Sequence, residues 1–288
     1  MTQSLTLQSL QSCAVLRDGA QIPILGFGTY ELESKDAYNA VTWALESGYR
    51  HIDSAEWYEN ERGCGKAILD FCRSHDVPRS SVFYTTKLKY NDGYEGVTRS
   101  IQKSLNECGL GYIDLYLIHG PIGGKTARLE SWRAICEAHK SGKLKNIGIS
   151  TFGIKHLQEI LDFCSERSLP LPSVHQIDLH PFQVRSAIVE FSKRHGIVLE
   201  AWAPLVRGLR FKHPSIVNLS QKHNKDPAQI LLRYSLQKGY VAIPKSSSQT
   251  RIASNTQIFD FELSDKEIQD LDNLDEALVT DWDPTDCD

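Results

Sequence analysis

Apolar residues in this chain come in short runs, each closed by a polar residue and followed by a stretch with helical spacing. Runs of this kind begin near residues 25, 50, 82, 113, 147, 174, 198 and 241, and they predict eight strands. The segments between them carry helix boundaries. Ser34 or Asp36 is placed to cap a helix running through Glu46, Gly93 precedes one that ends near Gly109, and Ser186 starts one that ends at His195-Gly196. The longer stretch after the seventh run holds a basic loop, residues 206–213, and two helical segments, one of them from Asp226-Pro227 to Gln237. Ahead of the repeat, residues 14–23 read as a hairpin around Asp18-Gly19, a pair that tolerates the positive φ of a two-residue turn.

Strands that alternate with helices pair in parallel through crossover connections. Eight such units in 288 residues close most simply into an α/β fold, a (β/α)8 TIM barrel with an N-terminal β-hairpin. The alternative, a doubly wound sheet, would carry G-x-G-x-x-G after its first strand. Gly26-Phe-Gly28-Thr-Tyr-Glu31 and Gly63-Cys-Gly65-Lys66 both stop short of that pattern. No linker rich in Pro, Gly or Ser divides the chain, so residues 1–288 are expected to form a single domain.

Composition then narrows the function. A net charge of −4 with no run of Lys or Arg gives no footprint for nucleic acid or an anionic membrane, which leaves a small-molecule substrate as the expectation, and the lack of long exposed apolar stripes makes a monomer the default. Seven cysteines, an odd number without a Cys-x-x-Cys pair, argue for reduced thiols and a cytoplasmic protein rather than a disulfide framework or a zinc site. The N-terminus lacks a basic region, and no segment approaches the roughly 18 apolar residues that span a bilayer.

In a barrel, the C-terminal strand ends share one mouth. The polar or aromatic residues closing the runs are Asp53, Lys87, His119, Ser150, Gln176, Trp202 and Lys245, and Tyr58 follows Asp53 by five positions. A phenol ordinarily titrates near pH 10, and an adjacent ammonium stabilises its phenolate. Lys87 is expected to lower the Tyr58 pKa in this way, with Asp53 holding Lys87 and His119 donating to a substrate oxygen. No Ser or Cys occupies a nucleophile elbow, no second carboxylate pairs with Asp53, and no ligand set completes a metal site around His51-x-Asp53. A proton donor without nucleophile or metal points to a bound cofactor as the other reactant. Residues 243–255 gather hydroxyls with Lys245 and Arg251, which suits a phosphate, and Trp202 offers a flat face to a heteroaromatic ring.

These motifs resemble the aldo-keto reductases, most of all their small fungal members. The likeness runs from Gly26-Phe-Gly-Thr-Tyr30 through Gly48-Tyr-Arg-His-Ile-Asp-Ser-Ala55 to Phe261-Glu-Leu-Ser264. It implies a barrel binding NADPH, with Asp53, Tyr58, Lys87 and His119 at the positions of the family's catalytic four and an aldehyde or ketone as substrate. By the same resemblance Ser150 and Gln176 would bond the nicotinamide carboxamide, and Trp202, where the family usually has tyrosine, would stack on its ring. Lys245, Ser246 and Arg251 would hold the 2′-phosphate, with Asn255 near the adenine and Gly28, Thr29, Thr151, Ala203, Leu205 and Ser247 completing the cofactor contacts. Tyr30, Trp57, Lys89, Tyr90 and Trp282 would line the substrate pocket.

The chain departs from the family pattern in several places. Thr151 and His175 stand where the family has asparagines, Lys89-Tyr90 replaces a pocket tryptophan, and the loop from Gly120 is short. A non-catalytic nucleotide sensor on the same fold is the second reading, disfavoured by the intact four. A carbon-carbon double-bond reductase would carry glutamate in place of His119.

Overall fold

A computed structural model of the chain describes residues 9–288. Two strands, β1 (Cys13–Val15) and β2 (Gln21–Pro23), pair antiparallel, and eight more form one parallel sheet in sequence order. These are β3 (Phe27–Gly28), β4 (His51–Asp53), β5 (Phe83–Leu88), β6 (Ile113–Ile118), β7 (Leu144–Ser150), β8 (Val174–Asp178), β9 (Val198–Trp202) and β10 (Val241–Ala242). Parallel bridges from Leu25 to Ala242 and from Gly28 to Lys245 join the last strand to the first, so the sheet closes into the expected barrel.

The seam explains the glycines of Gly26-Phe-Gly28. Gly26 N donates to Ala242 O at 2.9 Å and Gly28 N to Pro244 O at 3.0 Å. A Cβ on Gly26 would stand 2.6 Å from His51 Nδ1, and one on Gly28 would stand 2.9 Å from Ile243 O. The motif is a packing requirement of closure rather than part of a phosphate loop.

Helices cover the outside. They are α1 (Ser34–Glu46), α2 (Glu61–Ser74), α3 (Gly93–Cys108), α4 (Lys125–Lys140), α5 (Ile154–Arg167), α6 (Ser186–Arg194), α7 (Pro214–His223), α8 (Pro227–Gln237), α9 (Gln249–Ser254) and α10 (Asp265–Asp272). With helices outside and side chains filling the inside, a strand such as β6 is buried at every position except the half-buried Asp114, which is why it reads as an apolar run.

Two boundaries differ from the sequence expectation. Neither Ser34 nor Asp36 caps α1, because the helix already includes Ser34 and Glu33 holds the cap position without a side-chain bond. The hairpin turn has three residues rather than two: Gly19 N donates to Leu16 O at 3.0 Å and Leu16 N to Ala20 O at 2.8 Å, with only Gly19 at positive φ (+88°). Asp18 instead accepts from Ala20 N through its carboxylate at 3.0 Å. The hairpin packs at the strands' N-terminal end, where Arg17 reaches His195 O just ahead of β9, and leaves the opposite mouth free.

Candidate active site

Asp53 ends β4, and the chain leaves it through a single turn of 3₁₀ helix, Glu56–Tyr58, that brings the phenol back over the strand end. Asn60 fixes this turn. It is fully buried, donates to Thr29 O and Leu32 O at 2.9 Å each, and accepts from Ser54 Oγ at 2.7 Å.

Lys87, on β5, is completely buried and uses all three ammonium hydrogens. They go to Asp53 Oδ1 at 2.6 Å, Ser54 O at 2.9 Å and Tyr58 Oη at 3.3 Å. Since an ammonium has no lone pair, Tyr58 accepts from Lys87, and its own proton is left to point elsewhere. His119, one residue beyond β6, places its ring edge-on to Tyr58 with centroids 5.6 Å apart.

Burial governs the charges here. It pulls Lys87 down, but the Asp53 carboxylate and Tyr58 more than offset it and keep the ammonium charged. Burial raises Asp53 against the pull of Lys87. The tyrosine corrects the sequence expectation: burial pushes the Tyr58 phenol up to about 12, and the opposing Lys87 charge does not bring it below its ordinary value. At rest Tyr58 is a firmly protonated donor. His119 is held well below the usual histidine range by burial and by Lys87, so it is a neutral imidazole, and its buried Nδ1 has no hydrogen-bond partner among the described residues.

A cleft of about 940 Å³ opens above these groups. Asp53, Tyr58 and His119 line it, while Lys87 lies beneath. Ser150, Thr151, Gln176, Trp202, Ala203 and Leu205 form one wall, and Gly28, Lys245, Ser246, Ser247, Arg251 and Asn255 form another. Arg251 Nε is 3.4 Å from Ser246 Oγ. Thr29 does not belong to the lining: it is fully buried, with its hydroxyl donating to Asp53 O at 2.9 Å, so it supports the floor.

Three aromatic residues, Tyr30, Trp57 and Trp282, stand at the rim with Ile122. Lys89 and Tyr90 fall outside the cleft, which corrects their assignment to it. The Lys89 ammonium lies over the outer face of this group, 4.6 Å from the Trp57 ring centre, and pairs with Glu59 at 3.7 Å. Tyr90 packs against Trp57 with centroids 5.1 Å apart.

Trp282 is held in place. Thr280 donates to Asp178 Oδ2 through its amide at 3.2 Å and its hydroxyl at 3.1 Å, and Asp283 pairs with Arg185 at 2.9 Å. The indole rests on Gly120, where a Cβ would come within 2.3 Å of the ring. Arg207 bridges the cleft edge, reaching Glu31 at 2.8 Å and Asp281 at 3.1 Å.

Sequence reasoning passed over Arg207, Asp281 and Ile122, whose meeting depends on tertiary placement alone. It also passed over Glu200, although an acid inside the apolar run of β9 was a visible signal. His175, in the position of a family asparagine, is buried and supports the end of β7: its Nε2 accepts from Phe152 N at 3.2 Å, and burial pushes its pKa down to about 3.

The cleft's chemistry fits a dinucleotide. Its lining includes a flat half-buried indole, two cations and several hydroxyls, and Gln176 Oε1 takes no hydrogen bond from any described residue. Comparison with known proteins agrees. A model of the aldo/keto reductase family matches residues 24–276. An uncharacterized oxidoreductase of Schizosaccharomyces pombe is 42% identical, covering 96% of this chain and 98% of the relative. Glyoxal reductase of Bacillus subtilis is 38% identical over 92% of this chain and 94% of its own length. Among solved structures, an aldo-keto reductase from a Medee basin deep-sea metagenome library superposes with a TM-score of 0.89 at 34% identity, covering 96% of this chain and 99% of that one.

Proposed function

Because the chain belongs to the aldo/keto reductase family, we propose that it reduces an aldehyde or ketone to the alcohol with NADPH, as one domain spanning residues 1–288. The nicotinamide supplies the hydride. Tyr58 supplies the proton to the carbonyl oxygen, and neutral His119 donates a hydrogen bond that orients that oxygen. As the phenol gives up its proton, the Lys87 ammonium already bonded to its oxygen stabilises the phenolate, and Asp53 keeps Lys87 in place. Ser150 and Gln176 bind the carboxamide, Trp202 stacks on the ring, and Lys245, Ser246 and Arg251 take the 2′-phosphate. The rim of Tyr30, Trp57 and Trp282 receives the carbonyl substrate; the small polar dialdehyde glyoxal, named for one relative, is among the candidates.

One observation carries this reading: Lys87 donates all three of its hydrogens inward, so the Tyr58 proton is the one left for the cleft. The test is NADPH consumption against a panel of simple aldehydes and diketones. Turnover is expected, with NADH less efficient and Arg251→Ala narrowing the gap by about tenfold, the loss of one charge-assisted hydrogen bond. Tight NADPH binding without consumption across the panel would favour a sensor instead, and equal efficiency with NADH would remove the phosphate assignment.

A further inference from the structure

Glu200 lies in the middle of β9, fully buried, in register with Gln176 on β8. Gln176 Nε2 donates to Asp53 Oδ2 at 2.9 Å and also to Glu200 Oε1. An amide nitrogen has two hydrogens, and both are thereby taken on the barrel side. The atom facing Asp53 Oδ2 is the nitrogen, because the amide oxygen there would meet a carboxylate already paired with Lys87, and a neutral Glu200 still offers its carbonyl oxygen to the second amide hydrogen. This fixes which end of the amide faces the cleft. Gln176 lines that cleft, and among the described residues its Oε1 has no hydrogen-bond partner.

We propose that Glu200 is a positioning residue: it anchors the Gln176 amide so that Oε1 is presented as an acceptor to the amide NH2 of the nicotinamide. The inference rests on the cofactor reading above and adds to it the residue that sets the geometry of the contact. With Asp53 as sole anchor, the amide would pivot about one hydrogen bond and Oε1 would lose its fixed direction.

The surroundings of Glu200 are consistent with an acceptor rather than a charge. Burial and the nearby Asp53 carboxylate push its carboxyl up to about 8, because one ammonium, Lys87, serves both acids. Among the described residues its Oε2 has no hydrogen-bond partner, and it is 3.8 Å from His51 Nε2. Burial pushes the His51 imidazole down to about 3, so it stays neutral and brings no second cation to the pair.

The test compares binding of NADPH with binding of its 3-acetylpyridine analogue, in which a methyl group replaces the amide NH2, by quenching of tryptophan fluorescence. Wild type and Glu200→Gln, which keeps an acceptor oxygen, are expected to prefer NADPH by about 3–10-fold, the range for one hydrogen bond. In Glu200→Leu the preference should collapse toward unity. A Glu200→Leu protein that retains the full wild-type preference would overturn the inference. Gln176→Met separates the two claims: it should abolish the preference, and if it does not, the carboxamide contact itself is wrong. Should Glu200→Leu fail to fold, the wild type with NADPH bound provides the second measurement. Both Gln176 Nε2 protons, assigned by NMR through their loss in Gln176→Met, should exchange slowly with solvent, and fast exchange of either would overturn the inference.

Discussion

Tyr58 and Lys87 show why residue type alone misjudges a pKa. The pairing was legible in the sequence, since an ammonium beside a phenol must favour the phenolate. The burial that makes the pair close also penalises the phenolate, and here it is the larger effect. The same burial acts on His119 in the other direction, and because a depressed histidine pKa favours the neutral form, the ring stays neutral well below its ordinary titration range. The expected pH profile of kcat/KM for carbonyl reduction therefore has no inflection near about pH 6.5, where an unperturbed histidine would gain its proton. An acid-side fall at that pH which vanishes in His119→Gln would mean that the ring titrates normally.

Among the elements, the strands were the most legible. A barrel strand covered on both sides is mostly apolar and ends where the chain meets the mouth, so polar residues mark its close even though a few, such as His175 and Glu200, sit inside it. Helix starts and turns were less so. The cap of α1 and the length of the hairpin turn depend on backbone geometry that several sequences satisfy equally well. Gly63 and Gly65 on α2 show another element-level cause. A Cβ on Gly63 would sit 2.0 Å from Ser34 O, and one on Gly65 would sit 1.8 Å from Cys108 O, so α2 presses directly on the start of α1 and the end of α3. Gly65→Ala is expected to destabilise the fold by about 1–3 kcal/mol through overpacking, while NADPH affinity, set by the walls built from β7 to β10 and α9, stays within about twofold. Denaturant unfolding and fluorescence titration measure the two; a variant as stable as wild type would show that the helices part easily.

At the scale of the whole molecule, closure of the barrel turns separate strand ends into one site. Residues from β4, β5 and β6 meet at Tyr58, and those from β7, β8 and β9 form the neighbouring wall. Their order along the chain was readable because each closes its own strand. The mouth's outer parts were not, because Arg207, Asp281 and Trp282 come together from the loop after β9 and the C-terminal tail through ion pairs and a glycine contact that sequence spacing does not encode. Lys89 and Tyr90 were misplaced for the same reason: they follow β5 directly, yet they lie on the outer side of Trp57.

The central claim is that one phenol, bonded through its oxygen to Lys87, delivers the proton. Tyr58→Phe removes that hydroxyl and little else, so the decisive measurement is its turnover set beside its NADPH affinity. The expected result is a loss of kcat by at least about 10²-fold, the scale of a general acid, with the NADPH dissociation constant within about twofold of wild type. Turnover within a few-fold of wild type would contradict the account and move the acid to another group.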